Sequence, residues 1–348
     1  IDFLNIRENG NWNHGRKNGT NIPHRTKTWE EISSKYNLSI NESKGLYEKS
    51  RKKMFEYREY KVHPQKDDKI LTDWNGLMIS AIARAAYVLD NYEYKTAAIN
   101  AMNFVKKNLV NEEGQLLKRI RVGSGKGGLD PTVEDYSFLI WGIIELYNLT
   151  YDPEYLKLAT YYSDHLVEHF LDEKDGSFYF TPDYAEDLIV RSKDVYDGAI
   201  PSGNSVSAYN FIRLGRLLSR ADYEEVAIGI LSRYSNRLNK GGSGQTMMMK
   251  AVDFYKGPSF EVIICGDRES QQGKEIIQKI NNSEQPNKVI VWVDDNNKDS
   301  LEGMMPFIKF FPLESETPLI YVCQNYTCDL PTSDMKKVLD LLNPIKID

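Results

Sequence analysis

Three short polar clusters carry the residues of this sequence best suited to chemistry, and each stands directly before an apolar stretch. The first is Thr72-Asp73-Trp74-Asn75-Gly76, the second Glu134-Asp135-Tyr136, and the third runs from Asp197 through Ser202 and Asn204 to Ser205. Carboxylates give and take protons, amides and hydroxyls orient a polyhydroxylated ligand, and an aromatic face packs on a flat apolar surface such as a sugar ring. Asp73, Asp135 and Asp197 are therefore the candidate acid/base residues. Trp74 and Tyr136 are the candidate stacking platforms, with Asn75, Glu134, Ser202 and Asn204 as further ligand contacts. Arg119, Arg191 and Lys193 lie in the intervening segments, where they would hold an anionic substrate group or keep the carboxylates ionised. The competing reading for each member is helix capping, because Asp, Asn and Ser are the preferred N-cap residues.

The stretches behind the clusters explain why they would meet. Asp73 to Asp135 is 62 residues and Asp135 to Asn204 is 69, so one unit repeats three times. Each unit is a nearly all-apolar helix (75–89, 132–149, 204–218) followed by an amphipathic one (94–109, 153–171, 222–238). A helix that is apolar all round must be enclosed by other helices, whereas its partner needs only one buried face. Repeated inner–outer pairs predict a toroid of helical hairpins, with the three clusters gathered at one mouth. Short runs at 115–121 and 177–180, bounded by glycine, read as small β-hairpins on that rim.

Two more helices are expected, at 41–60 and 245–255. Beyond Gly257-Pro258 the rhythm changes to strands at 260–265, 288–293 and 319–323 alternating with helices at 271–280 and 333–342. This predicts a mainly α protein: a toroid over 1–256, then a small α/β module over 257–348 with some parallel strand pairing.

Composition excludes several classes. Lys+Arg number 44 against 50 Asp+Glu, a net charge of −6, and no basic cluster is long enough to track a phosphate backbone, so nucleic acid is not an expected partner. The longest apolar run, 138–144, falls far short of the roughly 20 residues of a membrane span. Three cysteines make no disulfide framework, so a reducing, cytoplasmic setting is expected, with Cys323 and Cys328 as buried or incidental thiols.

Other motifs fail on context. His165-Leu166-Val167-Glu168-His169 matches a zinc pattern but lies on an amphipathic outer helix with no distal ligand, so no metal is expected. Gly123-Ser124-Gly125-Lys126-Gly127-Gly128 lacks the Ser/Thr and strand–loop–helix frame of a phosphate loop and reads as a flexible loop. No cofactor is implied.

The segments Asp67-Asp68-Lys69-Ile70-Leu71-Thr72-Asp73-Trp74-Asn75-Gly76-Leu77-Met78-Ile79, Glu134-Asp135-Tyr136, Tyr196-Asp197-Gly198-Ala199-Ile200-Pro201-Ser202-Gly203-Asn204-Ser205 and Tyr321-Val322-Cys323-Gln324-Asn325-Tyr326-Thr327-Cys328-Asp329-Leu330-Pro331 resemble the thioredoxin-domain-containing proteins related to spermatogenesis-associated protein 20. The resemblance implies an N-terminal thioredoxin-like domain followed by an (α/α)6 toroid similar to N-acylglucosamine 2-epimerases and six-hairpin glycosidases. This chain begins Ile1-Asp2-Phe3. The resemblance places that first domain and its C-x-x-C upstream of Ile1, and about eight helices are legible where twelve close a ring, so an incomplete toroid is expected. Sugar epimerases of this fold use histidines on inner helices. None of His14, His24, His63, His165 or His169 lies on the three inner helices here, which leaves carboxylate chemistry.

Two functions follow as expectations. One is a carbohydrate-active or carbohydrate-binding toroid acting by epimerisation, isomerisation or hydrolysis on a sugar or other small molecule. The alternative is a non-catalytic client-binding or scaffold module working with the upstream thioredoxin-like redox domain.

Overall fold

Two reciprocal capping boxes, Thr28 with Glu31 and Ser39 with Glu42, start the first two helices, α1 (Trp29–Tyr36) and α2 (Ile40–Glu59). They belong to the first of two compact units in the computed structural model, residues 1–67 and 68–348. The structure describes residues 1–12, 19–121, 123, 127–313, 315, 317–325 and 327–343. His14 and residues 124–126 of the glycine-rich loop lie outside them. Inside the first unit Phe3, Trp29 and Tyr47 form an aromatic cluster, and Asp2 pairs with Lys27 and Lys35.

In the second unit, β1 (Lys69–Leu71) leads into α3 (Thr72–Leu89), and α4 (Tyr92–Asn108) returns beside it. Then β2 (Arg119–Arg121) pairs antiparallel with β1, and α5 (Val133–Thr150) and α6 (Pro153–Phe170) form the second hairpin. β3 (Leu171–Asp172) and β4 (Ser177–Phe178) make a small antiparallel ribbon, followed by the third hairpin, α7 (Gly203–Leu218) and α8 (Ala221–Gly241), and then α9 (Thr246–Lys256). The hairpin expected at 115–121 is local only in part: Leu116 bridges Val110 and Arg119 bridges Gly128, while 119–121 also pairs backwards onto residues 69–71, a partner that no local turn signal marks.

The helices α3, α5, α7 and α9 pack side by side as the inner layer, with α4, α6 and α8 outside. Every residue of α7 is buried, its polar side chains and two arginines included, so other elements enclose it on all sides. All three hairpins turn alike. Each inner helix ends in a left-handed residue, Asp90 (φ 49°), Tyr151 (φ 53°) or Ser219 (φ 52°), spaced 151 − 90 = 61 and 219 − 151 = 68. One residue later the outer helix is capped at Asn91 or Asp152, or begins after Arg220. The contact between α3 and α5 is closest at glycine. A Cβ on Gly76 would stand 2.5 Å from the backbone of Phe138 and Leu139, and one on Gly142 would stand 2.9 Å from the Gly76 carbonyl.

After residue 257 the architecture changes inside the same unit. The strands are β5 (Phe260–Cys265), β6 (Lys288–Val293), β7 (Leu319–Gln324) and β8 (Thr327–Cys328), in the order β6-β5-β7-β8. β5 and β6 are parallel across α10 (Gln271–Asn281), and the other pairings are antiparallel. α11 (Lys298–Met304) and α12 (Met335–Leu342) complete the module. Trp292 of β6, fully buried, donates its indole N–H to the Gly266 carbonyl at 2.8 Å and packs on Tyr151 at the end of α5.

One expectation fails here. Cys323 and Cys328, read as separate thiols, are joined in a disulfide, because the antiparallel β7–β8 register sets them directly opposite each other. No helix among the described residues is long and apolar enough to cross a membrane.

Candidate active site

The N-terminal ends of α3 and α5 touch at a pair of carboxylates. Asp73 sits in the first turn of α3, where its Oδ1 accepts the Trp74 N–H at 2.7 Å. Its own N–H donates to Asp135 Oδ1 at 3.1 Å, although 62 residues separate the two. Asp135 is completely buried, and its Oδ2 accepts both the N–H and the hydroxyl of Thr132, at 2.7 and 2.9 Å. Lys118, immediately before β2, closes the cluster, with its ammonium 2.6 Å from Asp73 Oδ2 and 3.2 Å from Asp135 Oδ2.

Burial is the largest influence on these groups. It raises the Asp135 carboxyl to about 6 despite the opposing pull of Lys118. Glu134, half-buried beside it, is raised to about 7 by burial, with Asp73, Asp135 and Asp194 adding to the rise and Lys118 opposing it. Burial lowers the Lys118 ammonium, but Asp135 and Asp73 outweigh it, and the net direction is upward. Unlike Asp73 and Asp135, the Glu134 carboxyl accepts no hydrogen bond among the described residues. The arrangement is thus a fixed ion triad with one adjacent carboxyl free to exchange a proton near neutrality.

The third cluster adjoins but faces elsewhere. Gly203 at the start of α7 lies against Val133 and the Glu134 backbone, so the three inner-helix ends do meet. Asp197, however, turns its carboxylate to α9, accepting the Met247 and Met248 N–H groups at 2.8 and 3.2 Å and the Ser202 N–H at 2.9 Å. Ser202 caps α7 through the Ser205 N–H. Asn204 is buried and locks β4, exchanging hydrogen bonds with both the N–H and carbonyl of Phe178. These three residues hold elements in place.

Other expected ligand contacts divide the same way. Trp74 is 60% exposed beside the carboxylate pair. Asn75 donates to the Leu71 carbonyl at 2.7 Å, across the first turn of its own helix. Tyr136 is fully buried and stacks on His165 at 4.8 Å, with its hydroxyl accepting the Leu116 N–H. It belongs to the core between α5 and α6 and offers no face to a ligand, because one position along a helix rotates a side chain by about 100°. Arg119 is half-buried on β2, opposite Leu71. Arg191 donates to the Thr181 and His169 carbonyls over the Tyr179 ring, and Lys193 pairs with Asp172 and Asp175 at 2.7 and 2.6 Å. Both brace the β3–β4 ribbon. His169 bonds Asp183, and no group of three potential metal ligands is present among the described residues.

Lys118 was not among the expected residues. Period-2 alternation through 117–121 sets it on the strand face opposite Arg119 and Arg121, the only available signal. Also unforeseen is a buried pair deeper in the inner layer. Arg213 of α7 lies 2.8 Å from Glu145 of α5, which also accepts from the Tyr87 hydroxyl and the Trp141 indole.

Fold and site together define a protein of inner–outer helical hairpins with an acidic cluster at the inner-helix mouth. The chain is similar to spermatogenesis-associated protein 20. It is 27% identical to that protein of Rattus norvegicus over 351 residues, covering 97% of this chain and 44% of the relative. The Homo sapiens protein is 27% identical over 339 residues, covering 95% and 43%. An uncharacterized Caenorhabditis elegans protein is 26% identical over 356 residues, covering 98% and 48%. The chain thus spans less than half the length of these relatives. No family model matches it. Among solved structures it is similar to a cellobiose 2-epimerase from Bacillus thermoamylovorans (16% identity, TM-score 0.42, 50% of this chain and 46% of that one). It is also similar to a GH76 α-mannanase from Bacteroides thetaiotaomicron (17%, TM-score 0.46, 63% and 59%).

Proposed function

We propose that the chain is a carbohydrate-active module in which Glu134 exchanges a proton with a sugar held against Trp74. The observation that carries this reading is the state of Glu134: a half-buried carboxyl raised to about 7, with no hydrogen bond among the described residues, next to carboxylates whose oxygens are engaged. A general acid or base works best with a pKa near the working pH. Asp73 and Lys118 would orient ligand hydroxyls and balance charge. Asp135 and Asp197, assigned from sequence as acid/base residues, would act as supports. Epimerisation, isomerisation and hydrolysis all use such a group.

A panel of mono- and disaccharides, followed by thermal shift and by solvent-deuterium incorporation, tests the reading. We expect a ligand-dependent rise in Tm that Trp74→Ala abolishes, and turnover that Glu134→Gln reduces by about 10²–10⁴-fold. A ligand whose turnover survives Glu134→Gln would remove Glu134 from the mechanism.

A second reading has its own support, in that Asp73, Asp135 and Asp197 each accept backbone N–H groups. A mouth built for rigidity suits a non-catalytic scaffold working beside a redox domain. Absence of any sugar response across the panel would favour it.

A further inference from the structure

The third feature that carries chemistry lies in the C-terminal sheet, far along the chain from the acidic mouth. Cys323 and Cys328 face each other across β7 and β8, where Gln324 pairs with Thr327 and the Asp329 N–H donates to the Val322 carbonyl at 3.0 Å. With residues 322 and 329 hydrogen-bonded, the alternation of an antiparallel ladder makes the adjacent cysteines a non-hydrogen-bonded pair, the position where antiparallel side chains approach most closely. The two strands are therefore already held together by their backbone pairing, and a bridge spanning five residues removes little chain entropy compared with a longer loop. Stabilising the fold is a poor reason for this bond.

Its two sulfurs are unequal. Cys323 is 2% exposed on the inner strand β7, whereas Cys328 is exposed on the two-residue edge strand β8. The remaining cysteine, Cys265, cannot compete. It is buried on β5 opposite Leu319, four positions along β7 from Cys323, and burial pushes its thiol up to about 12. On its other side Cys323 is registered opposite Glu261, whose carboxylate pairs at 3.1 Å with Arg216 of the fully buried inner helix α7. Cys323 therefore lies directly across from the glutamate of the ion pair that ties the sheet to the hairpin array.

From this geometry we infer that Cys323–Cys328 is a thiol–disulfide exchange site whose substrate is an external dithiol, attacked through Cys328. In the first step a reductant thiolate forms a bond to Cys328 Sγ. The Cys323–Cys328 bond breaks, and Cys323 leaves with the electron pair and takes a proton from water. In the second step the reductant's other thiolate attacks its own sulfur in the mixed disulfide, releasing Cys328 as a thiolate that is then protonated. Two electrons and two protons pass from the dithiol to the protein, and the dithiol becomes a disulfide. The reverse sequence closes the bridge. Access decides which sulfur is attacked, since the attacking group must approach in line with the S–S bond.

The test uses the whole chain in its native fold. The protein is equilibrated with graded mixtures of reduced and oxidised dithiothreitol, quenched in acid, alkylated and mapped by mass spectrometry. Cys323 and Cys328 are expected to become alkylated together while Cys265 stays unlabelled. Glutathione, a monothiol that arrests at the mixed disulfide, is expected on Cys328 in at least tenfold excess over Cys323. Free thiols at both positions in air-equilibrated protein would overturn the inference. So would glutathione mainly on Cys323, or a reduction rate that merely follows global unfolding as urea is added.

Discussion

The Lys118 ammonium stands 2.6 Å from Asp73 Oδ2, tying the edge of a two-stranded ribbon to the first turn of an inner helix 45 residues earlier in the chain. The same lysine is 3.2 Å from Asp135, so one cation neutralises two buried carboxylates from different hairpins. The Thr72 N–H donates to the Lys118 carbonyl at 3.1 Å, which fixes the lysine backbone against α3. The mouth is thus held by a long-range contact at its centre.

Replacing Lys118 with Met should cost roughly 3 kcal/mol, because two buried carboxylates lose their counter-charge. Lys118→Arg should recover most of the loss. Lys118 also opposes the rise of Glu134, so Lys118→Met should move the Glu134 carboxyl above its value of about 7. Urea denaturation reads the first effect and carbon-detected NMR titration of Glu134 the second. An unchanged midpoint with an unchanged titration would mean that the triad is not a unit.

Both raised carboxyls make stability depend on pH in a defined direction. Asp135 rises from 3.8 to about 6 and Glu134 from 4.5 to about 7, so the folded state holds protons that the unfolded chain releases. Their contribution is fully present below about pH 4 and is lost as pH rises through about 6 to 7, by on the order of 1–3 kcal/mol. Glu134→Gln should flatten the upper part of that decline in Tm measured from pH 5 to 8. A variant that declines as steeply as wild type would assign the dependence to other groups.

Asp197 is expected to behave as a cap of α9. Asp197→Ala should cost about 1–2 kcal/mol, with Asp197→Asn intermediate. Amide exchange at Met247 and Met248 should accelerate, since Asp197 accepts both N–H groups. If those amides keep their protection, the cap is not what holds the helix start.

The close crossing of α3 and α5 sets a fourth expectation. Gly76→Ala would place a methyl 2.5 Å from the backbone of Phe138 and Leu139, where no side-chain rotation relieves it. The helices must separate, at a cost of about 1–3 kcal/mol. Chemical denaturation checks this against Gly45→Ala on α2, where a Cβ meets nothing within 4 Å.

Much of the fold was legible from local pattern. The three inner helices at 75–89, 132–149 and 204–218 appear as Thr72–Leu89, Val133–Thr150 and Gly203–Leu218, and the strand at 260–265 as Phe260–Cys265. Hydrophobic periodicity and apolar runs encode burial, and burial decides these elements. The site was less legible. Residue type alone grouped Asp73, Asp135 and Asp197 as equivalents, yet two share a lysine and the third caps another helix.

The amino-acid sequence by itself determined the inner and outer helices, the alternation of strand and helix after residue 257 and the position of three polar clusters at the inner-helix starts. These follow from period and composition, which act over a few turns of chain. Tertiary structure alone decided that Tyr136 is core, that Lys118 joins two hairpins, that Asp197 serves α9 and that Cys323 bonds Cys328. A side chain's direction depends on helix phase and strand register, and its partner on which distant segment packs there. Both are settled only when the long-range contacts form.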